Sequence, residues 1–302
     1  MKHILCICLS ATIQRTITFE NIKLACVNRS EHYRIDASGK AVNSARVLNM
    51  LEKGCALTIC PLGKENKELF EKLAESDNLN LLFVTIPGST RQCWTLLDKT
   101  AGTTTELVVS EPKIIDAEKE VTENKLLKLI VDSLPKVDAV ILSGSRPDFW
   151  SEDLYATIAG ISKDNKKIFL ADYIGKDLVK TIETATPDII KINDEEYCKT
   201  FGLKFPLSES ELKSNITEKS RKYKNIIIIT RGMESTLAAN CGDFFECPTE
   251  KVTAVNTTAC GDSFNAGFLY QYLSSGDIPS ALKKGTWCAA RNAEVEAPGS
   301  IS

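Results

Sequence analysis

The sequence predicts an α/β fold: one three-layer α/β/α domain, residues 1–302, with a mostly parallel central sheet and a small β-sheet lid. Three observations carry the prediction. Short β-branched runs without polar interruption recur along the chain, as strands covered on both faces require. Segments with helical apolar spacing alternate with them, which is the signature of βαβ units. Two stretches, about 16–36 and 90–110, alternate apolar and polar residues instead, so they read as strands with one open face.

The elements follow in chain order. "HILCICL" (3–9) is the first buried strand; its six-residue apolar core is too short for a secretory signal. "TITFENIKLACVNRSEHYRID" (16–36) supplies half of the lid. "VNSARVLNMLEK" (42–53) sets Val47, Leu48 and Leu51 on one helical face. "CALTIC" (55–60) is a strand, "KENKELFEKLAES" (64–76) a helix, and "RQCWTLLDKTAGTTTELVV" (91–109) the rest of the lid. "ENKLLKLIVDSL" (123–134) predicts a helix through Leu126, Leu127, Ile130 and Leu134. Buried strands recur at 137–144, 166–172, 187–193 and 225–230, and "DSFNAGFLYQYLSS" (262–275) is helical. In open α/β sheets ligands sit at the carboxyl ends of strands, so the residues after each buried run are the ones to inspect.

Composition narrows the function classes. Lys and Arg total 37 against 40 Asp and Glu, a net charge of -3, which leaves no basic footprint for nucleic acid or an anionic membrane. No stretch approaches the ~20 apolar residues of a membrane span. The 11 cysteines are an odd number, scattered mostly through apolar runs without a CxxC pair. They point to a reducing, cytoplasmic setting with no disulfide framework and no structural metal.

The chemistry is sought first at Asp262, in "VNTTACGDSFNAGF" (255–268). A helix starting near Gly261 presents unpaired N–H groups and a positive dipole end, which attract phosphate. A carboxylate there can deprotonate a hydroxyl that attacks the phosphate. The local pattern alone equally fits a helix cap worth roughly 1 kcal/mol.

Two signatures in order, about 210 residues apart, decide between these. Asn256-Thr257-Thr258-Ala259-Cys260-Gly261-Asp262 resembles the D-T-x-G-A-G-D signature of the ribokinase-like (PfkB) carbohydrate kinases. Ser38-Gly39-Lys40-Ala41-Val42-Asn43 resembles the family's N-terminal G-G-K-G-x-N. The segments "SARVLNML", "CLSATIQRTITF", "STRQCWTLLD", "ILSGSRP" and "PDIIKINDEEY" are similar to the 1-phosphofructokinase and tagatose-6-phosphate kinase branch, and the resemblance runs to "APGSIS" at the end.

That resemblance implies a ribokinase-like fold and transfer of the γ-phosphoryl group of ATP to a hydroxyl of a sugar or sugar phosphate. Asp262 maps onto the general base, and Ala259, Cys260 and Gly261 onto the anion hole. Asn193 and Glu196 match N-x-x-E, which places Mg²⁺ indirectly through water. Read alone, they are an acidic helix start. Lys191 matches the lysine of K-P-N, with Ile192 in the proline's place. Thr230 and Gly232, in "ITRGMEST" (229–236), match an element beside the nucleotide, where a plain hairpin is the alternative. Asn292 is a further nucleotide-site candidate. Gln14, Gly39, Lys40, Asn43, Arg91 and Arg29 map to the acceptor side, Arg29 from a neighbouring subunit if the lid forms a homodimer contact.

The departures concentrate on that acceptor side. Gln14 stands where the family has Asp and can still hydrogen-bond but carries no charge. Thr95 stands where a lysine for a sugar phosphate is expected, and Asp172-Tyr173-Ile174-Gly175 replaces D-T-S-G. Ala259 stands where the family has glycine, and if that position needs positive φ a Cβ there is costly. A kinase for a nucleoside or an unphosphorylated sugar, and a non-catalytic sugar or nucleotide sensor, are therefore the alternatives to a sugar-phosphate kinase.

Overall fold

A computed structural model describes residues 2–301. Its main sheet has nine strands: β1 (Ile4–Ile7), β4 (Ala56–Gly63), β5 (Asn80–Ile86), β8 (Ala139–Ser143), β9 (Ile168–Asp172), β10 (Ile189–Asn193), β11 (Ile226–Arg231), β12 (Glu234–Asn240) and β13 (Asp243–Cys247). Their spatial order is β13-β12-β11-β10-β9-β8-β1-β4-β5. Every pairing from β5 to β11 is parallel, and β12 and β13 add an antiparallel edge. The stretch 229–236 thus forms the strand–turn–strand hairpin, with Gly232 at φ 59 in the turn.

The unbroken hydrophobicity of the short strands has a direct cause. Ile4 and Cys6 belong to one buried cluster while Leu5 and Ile7 belong to the other, so both faces of β1 are in core. The first cluster packs under α1 (Lys40–Leu51), α2 (Lys67–Ser76), α8 (Cys260–Ser275) and α9 (Ile278–Ala293). The second packs under α3 (Asp116–Ser133), α4 (Leu154–Asp164), α5 (Gly175–Ala185), α6 (Asp194–Phe201) and α7 (Glu209–Tyr223). The result is three layers. Each fully buried Ile or Leu stabilises by roughly 1.5–3 kcal/mol, and no polar face is spent on the middle layer.

The second sheet has the order β3-β2-β6-β7, from β2 (Thr12–Phe19), β3 (His32–Ser38), β6 (Arg91–Asp98) and β7 (Thr103–Val108). It starts at Thr12 rather than near 16, because β2 continues directly out of the turn after β1. Thr12, Gln14, Thr16 and Thr18 are buried on one face, while Arg15, Ile17 and Phe19 on the other stay partly exposed.

Chain order sets the position of the site. From β1 the chain builds outward through β4 and β5, then crosses back to β8 and builds the other way. The reversal between β1 and β8 is the crevice where such sheets bind ligands. The carboxyl ends of β8, β9 and β10, at Ser143, Asp172 and Asn193, open on that side. All eleven cysteines are free thiols, and seven are buried. Among the described residues no helix is long and apolar enough to cross a membrane.

Candidate active site

Asp262 is the third residue of α8, and the N-cap is Ala259. It therefore does not cap the helix; its side chain serves something else. Asn43 Nδ2 donates to Asp262 Oδ2 at 2.9 Å, and Ser44 Oγ donates to the Asp262 carbonyl at 2.8 Å. Asn43 Oδ1 accepts from Ser38 Oγ at 3.0 Å and Arg46 Nη1 at 3.2 Å, which fixes the amide with its NH₂ toward the carboxylate. Oδ1 of Asp262 receives no donor among the described residues and is not among the buried polar atoms lacking a partner. The residue is 5% exposed, and that remainder is what a hydroxyl can reach.

Gly39 makes this arrangement possible. Its φ of 125° suits glycine, and a Cβ there would lie 2.5 Å from Cys8 Sγ and 3.1 Å from the Ser10 carbonyl. The start of α1 is thereby laid directly on the end of β1, which carries Lys40 and Asn43 up to α8.

Around the first turn of α8 stand two lysines and three carboxylates. Asp172 Oδ2 accepts from Ser143 Oγ at 2.9 Å and from Asn265 Nδ2 at 2.7 Å. Lys40 Nζ lies 3.6 Å from Asp172 Oδ1 and 3.8 Å from Glu196 Oε1; Lys191 Nζ lies 3.8 Å from Asp172 Oδ2. A Cβ on Gly261 would meet Lys191 Nζ at 2.7 Å, so that ammonium rests against the helix backbone. The Cys260 amide turns back to the Thr257 carbonyl at 3.3 Å, while the amides of Ala259, Gly261 and Asp262 donate to no group among the described residues. Three free N–H groups at a positive helix end, with Lys191 beside them, form an anion cradle.

The electrostatics separate the two buried aspartates. Burial pushes the Asp262 carboxyl up to about 6; Asp172's charge adds to this, while Lys40, the Asn43 hydrogen bond and Lys191 oppose it. Burial works against ionised Asp172 too, but Lys191, Lys40 and the donors Asn265 and Ser143 outweigh it and hold that carboxyl below its ordinary value. Asp172 raises Lys40 most, against desolvation, and Asp262 and Glu196 add to the rise. The surroundings thus favour the ionised form of Asp172 and the protonated form of Asp262, whose carboxyl is raised to about 6.

Comparison with known proteins places the chain. Residues 1–301 match the family described as pfkB family carbohydrate kinase. The chain belongs to the pfkB family of carbohydrate kinases. It is 26% identical over 300 residues to a tagatose-6-phosphate kinase of Staphylococcus epidermidis, covering 99% of this chain and 94% of that one. Its fold is like that of phosphofructokinase-2 from Escherichia coli in complex with fructose-6-phosphate, with a TM-score of 0.84, 15% identity and 97% and 94% of the two chains covered. The ribokinase of Thermotoga maritima superposes with a TM-score of 0.72 at 20% identity over 99% and 95%.

Within this pfkB-family chain the remaining candidates fall into four groups. Asn193 and Glu196 form a capping box on α6: Glu196 N donates to Asn193 Oδ1 at 2.7 Å and Asn193 N to Glu196 Oε2 at 2.9 Å. Only Glu196 Oε1 turns to the site, toward Lys40. Thr230 is the parallel partner of Asn193 at the same sheet edge, one turn short of Gly232. Asn292 is a correction. It is 0% exposed, its Oδ1 accepts from Ser263 Oγ, Gly299 N and Ser300 N, and its Nδ2 donates to the Thr258 carbonyl at 2.8 Å. Its amide has nothing left for a nucleotide; it ties α9 and the C-terminal loop to the loop before α8.

On the lid, Gln14 is buried and donates to Thr95 Oγ1. Arg91 Nε donates to Thr12 Oγ1 at 2.7 Å and lies 3.3 Å from Glu111 Oε1. Arg29 is exposed on the loop after β2. Two groups were not singled out from sequence: Asp172, at the centre of the site, and Glu111, which also accepts from Ser10 Oγ. Asp172 ends a buried strand, the position from which it could have been read.

Ala259 adopts φ 68°, ψ 9°, the left-handed conformation that its Cβ disfavours by roughly 1–2 kcal/mol. Ala259→Gly is expected to stabilise the fold by about 0.5–1 kcal/mol after the larger unfolded-state entropy of glycine is counted. Denaturant unfolding reads this; a midpoint that moves down would show the Ala side chain to be packed rather than strained.

Proposed function

We propose that this chain transfers the γ-phosphoryl group of ATP to a hydroxyl of a sugar-class acceptor, with Asp262 as general base. The observation that carries the reading is the divided carboxylate of Asp262. Oδ2 is held by Asn43 while Oδ1 takes no donor among the described residues, in the same first turn of α8 that carries the three free amides. An acceptor O–H donates to Oδ1, its oxygen attacks the γ-phosphorus as the proton passes to Asp262, and the bond to the β–γ bridging oxygen breaks to release ADP. The amides of Ala259, Gly261 and Asp262, with Lys191 and Lys40, face the charge on the transferred group. Such a site works by positioning and electrostatics.

Among the described residues no three His, Cys, Asp or Glu side chains gather into a metal cage. The donors fit a hydrated Mg²⁺, which keeps its waters and uses few protein oxygens. Asp172 Oδ1 is buried without a hydrogen-bond donor, and Glu196 Oε1 is turned the same way. These oxygens would hold waters of the ion, and Asn193 would act by fixing Glu196. When bound, Mg²⁺ would neutralise charge on the β- and γ-phosphates.

The outer face of the lid carries Tyr33, 51% exposed, and Leu107, 53% exposed, beside Ile17, Trp94 and Leu96, and we read it as a homodimer contact. Eleven free thiols fit a cytoplasmic enzyme.

The test is ADP release from Mg·ATP across sugars, sugar phosphates and nucleosides. A stimulating acceptor supports the reading; stimulation by none ends it. The pH profile adds a second expectation. The base form of Asp262 is lost as pH falls through about 6, so kcat/KM is expected to be level above that and to drop about tenfold per pH unit below it. An acid limb near the ordinary aspartate value would remove Asp262 from the role.

A further inference from the structure

We infer that the acceptor is a neutral polyhydroxyl compound, without a phosphate or carboxylate group. The inference rests on the kinase reading above and specifies its substrate class. It starts from where the cations of the cleft are spent. On the cleft face of the lid, Arg34 donates to both oxygens of Asp36, at 2.8 and 2.5 Å, and Arg91 is held by Glu111 and Thr12. Asp36 is 5% exposed as a side chain, and Glu111 is 21% exposed. Beneath the lid Lys40 and Lys191 are shared by Asp172, and Arg46 is tied to Asp77 at 2.9 Å.

An anionic acceptor would have to take an arginine from its carboxylate. That leaves Glu111 or Asp36 half-desolvated, without its cation and beside a new anion, and like charges at close quarters are strongly disfavoured. Bidentate geometry makes the Arg34 pair especially hard to break.

The carboxylates that remain without an ion pair among the described residues add to the effect. Glu106 Oε1 lies 3.5 Å from Thr95 Oγ1 and 3.5 Å from Thr258 Oγ1, bridging the lid to the loop before α8. Glu296 Oε1 lies 3.3 Å from Thr18 Oγ1. Within one subunit Arg29 does not redress the balance. Its neighbour Ser30 is tied to the Thr18 carbonyl, six residues along β2 from the Thr12–Arg91 pair and thus about 20 Å away. The buried face of the lid is neutral and rich in hydrogen-bonding groups: Thr12, Gln14, Thr16 and Thr95. Those groups match hydroxyls.

The test compares each neutral sugar, polyol and nucleoside with its own phosphate ester, using the full chain, Mg·ATP and ADP release. The best neutral acceptor is expected to exceed its ester in kcat/KM by about 100-fold or more. A preference for an ester overturns this inference and leaves the kinase reading standing. Turnover of neither class overturns both. Calorimetry on the same panel reads binding without chemistry, and tighter binding of the ester again overturns the inference. Glu111→Gln keeps an acceptor for Ser10 but releases the charge of Arg91. It is expected to shift the ester-to-neutral ratio toward the ester by about tenfold. A ratio that does not move shows that the Arg91–Glu111 pair does not set acceptor charge, and the argument fails there.

Discussion

Asp262→Asn is expected to lower kcat by about 10²–10⁴-fold, the contribution that a positioned general base makes. The substitution changes little else. An asparagine Oδ1 can still accept from Asn43 Nδ2, which reaches the carboxylate at 2.9 Å, and the backbone contact from Ser44 is untouched. Burial already disfavours the charge at this position, so the neutral amide does not cost fold stability. Steady-state kinetics beside a thermal melt separate the two effects. A variant with full kcat, or one that loses activity only because it unfolds, would take the proton-transfer role away from this residue.

Asp172→Asn is expected to carry the largest cost in stability, about 3 kcal/mol, because it breaks a buried charge cluster from its centre. Lys191 is 5% exposed as a side chain and would lose the carboxylate 3.8 Å from its ammonium, with Asp262 left as the charge it acts on. Ser143 and Asn265 would lose a carboxylate acceptor in the same step. The substitution also reaches Asp262. Asp172 raises the Asp262 pKa by like-charge repulsion, and Lys40 and Lys191 lower it. Removing Asp172 eliminates the first effect and unmasks the second, so the acid limb of kcat/KM is expected to move below about 6. Denaturant unfolding and a pH profile on one preparation test both halves. A limb that stays in place would mean that the two carboxylates do not sense each other.

These two aspartates also show how differently site residues announce themselves in a sequence. Asp262 lies in a compact signature ahead of an apolar helix, and Gly261 and Lys191 reach the same helix end in the structure. Asp172 is only the retained first residue of a motif, D-T-S-G, that is otherwise altered to Asp172-Tyr173-Ile174-Gly175. It is made central by Ser143 from one strand, Asn265 from α8 and lysines from α1 and β10. Glu111 is plainer still: it sits between the lid and α3, and only the return of the chain past β1 brings it to Ser10 and Arg91. Asn292 failed in the opposite direction. Its place in the last helix suggested a ligand, yet packing turned its amide wholly inward.

The chain's one-dimensional pattern determined the layers. A strand buried on both faces must be apolar at every position, as Ile4, Leu5, Cys6 and Ile7 are, and a lid strand with one wet face must alternate, as Thr12–Phe19 does. Those are local requirements, so they can be read locally. Charge pairing is not local. Whether Arg91 meets a substrate or Glu111, and whether Asp172 meets solvent or two lysines, depends on contacts between segments far apart in the chain. Coulombic and desolvation energies depend on distance and burial in space, and only the folded chain sets either.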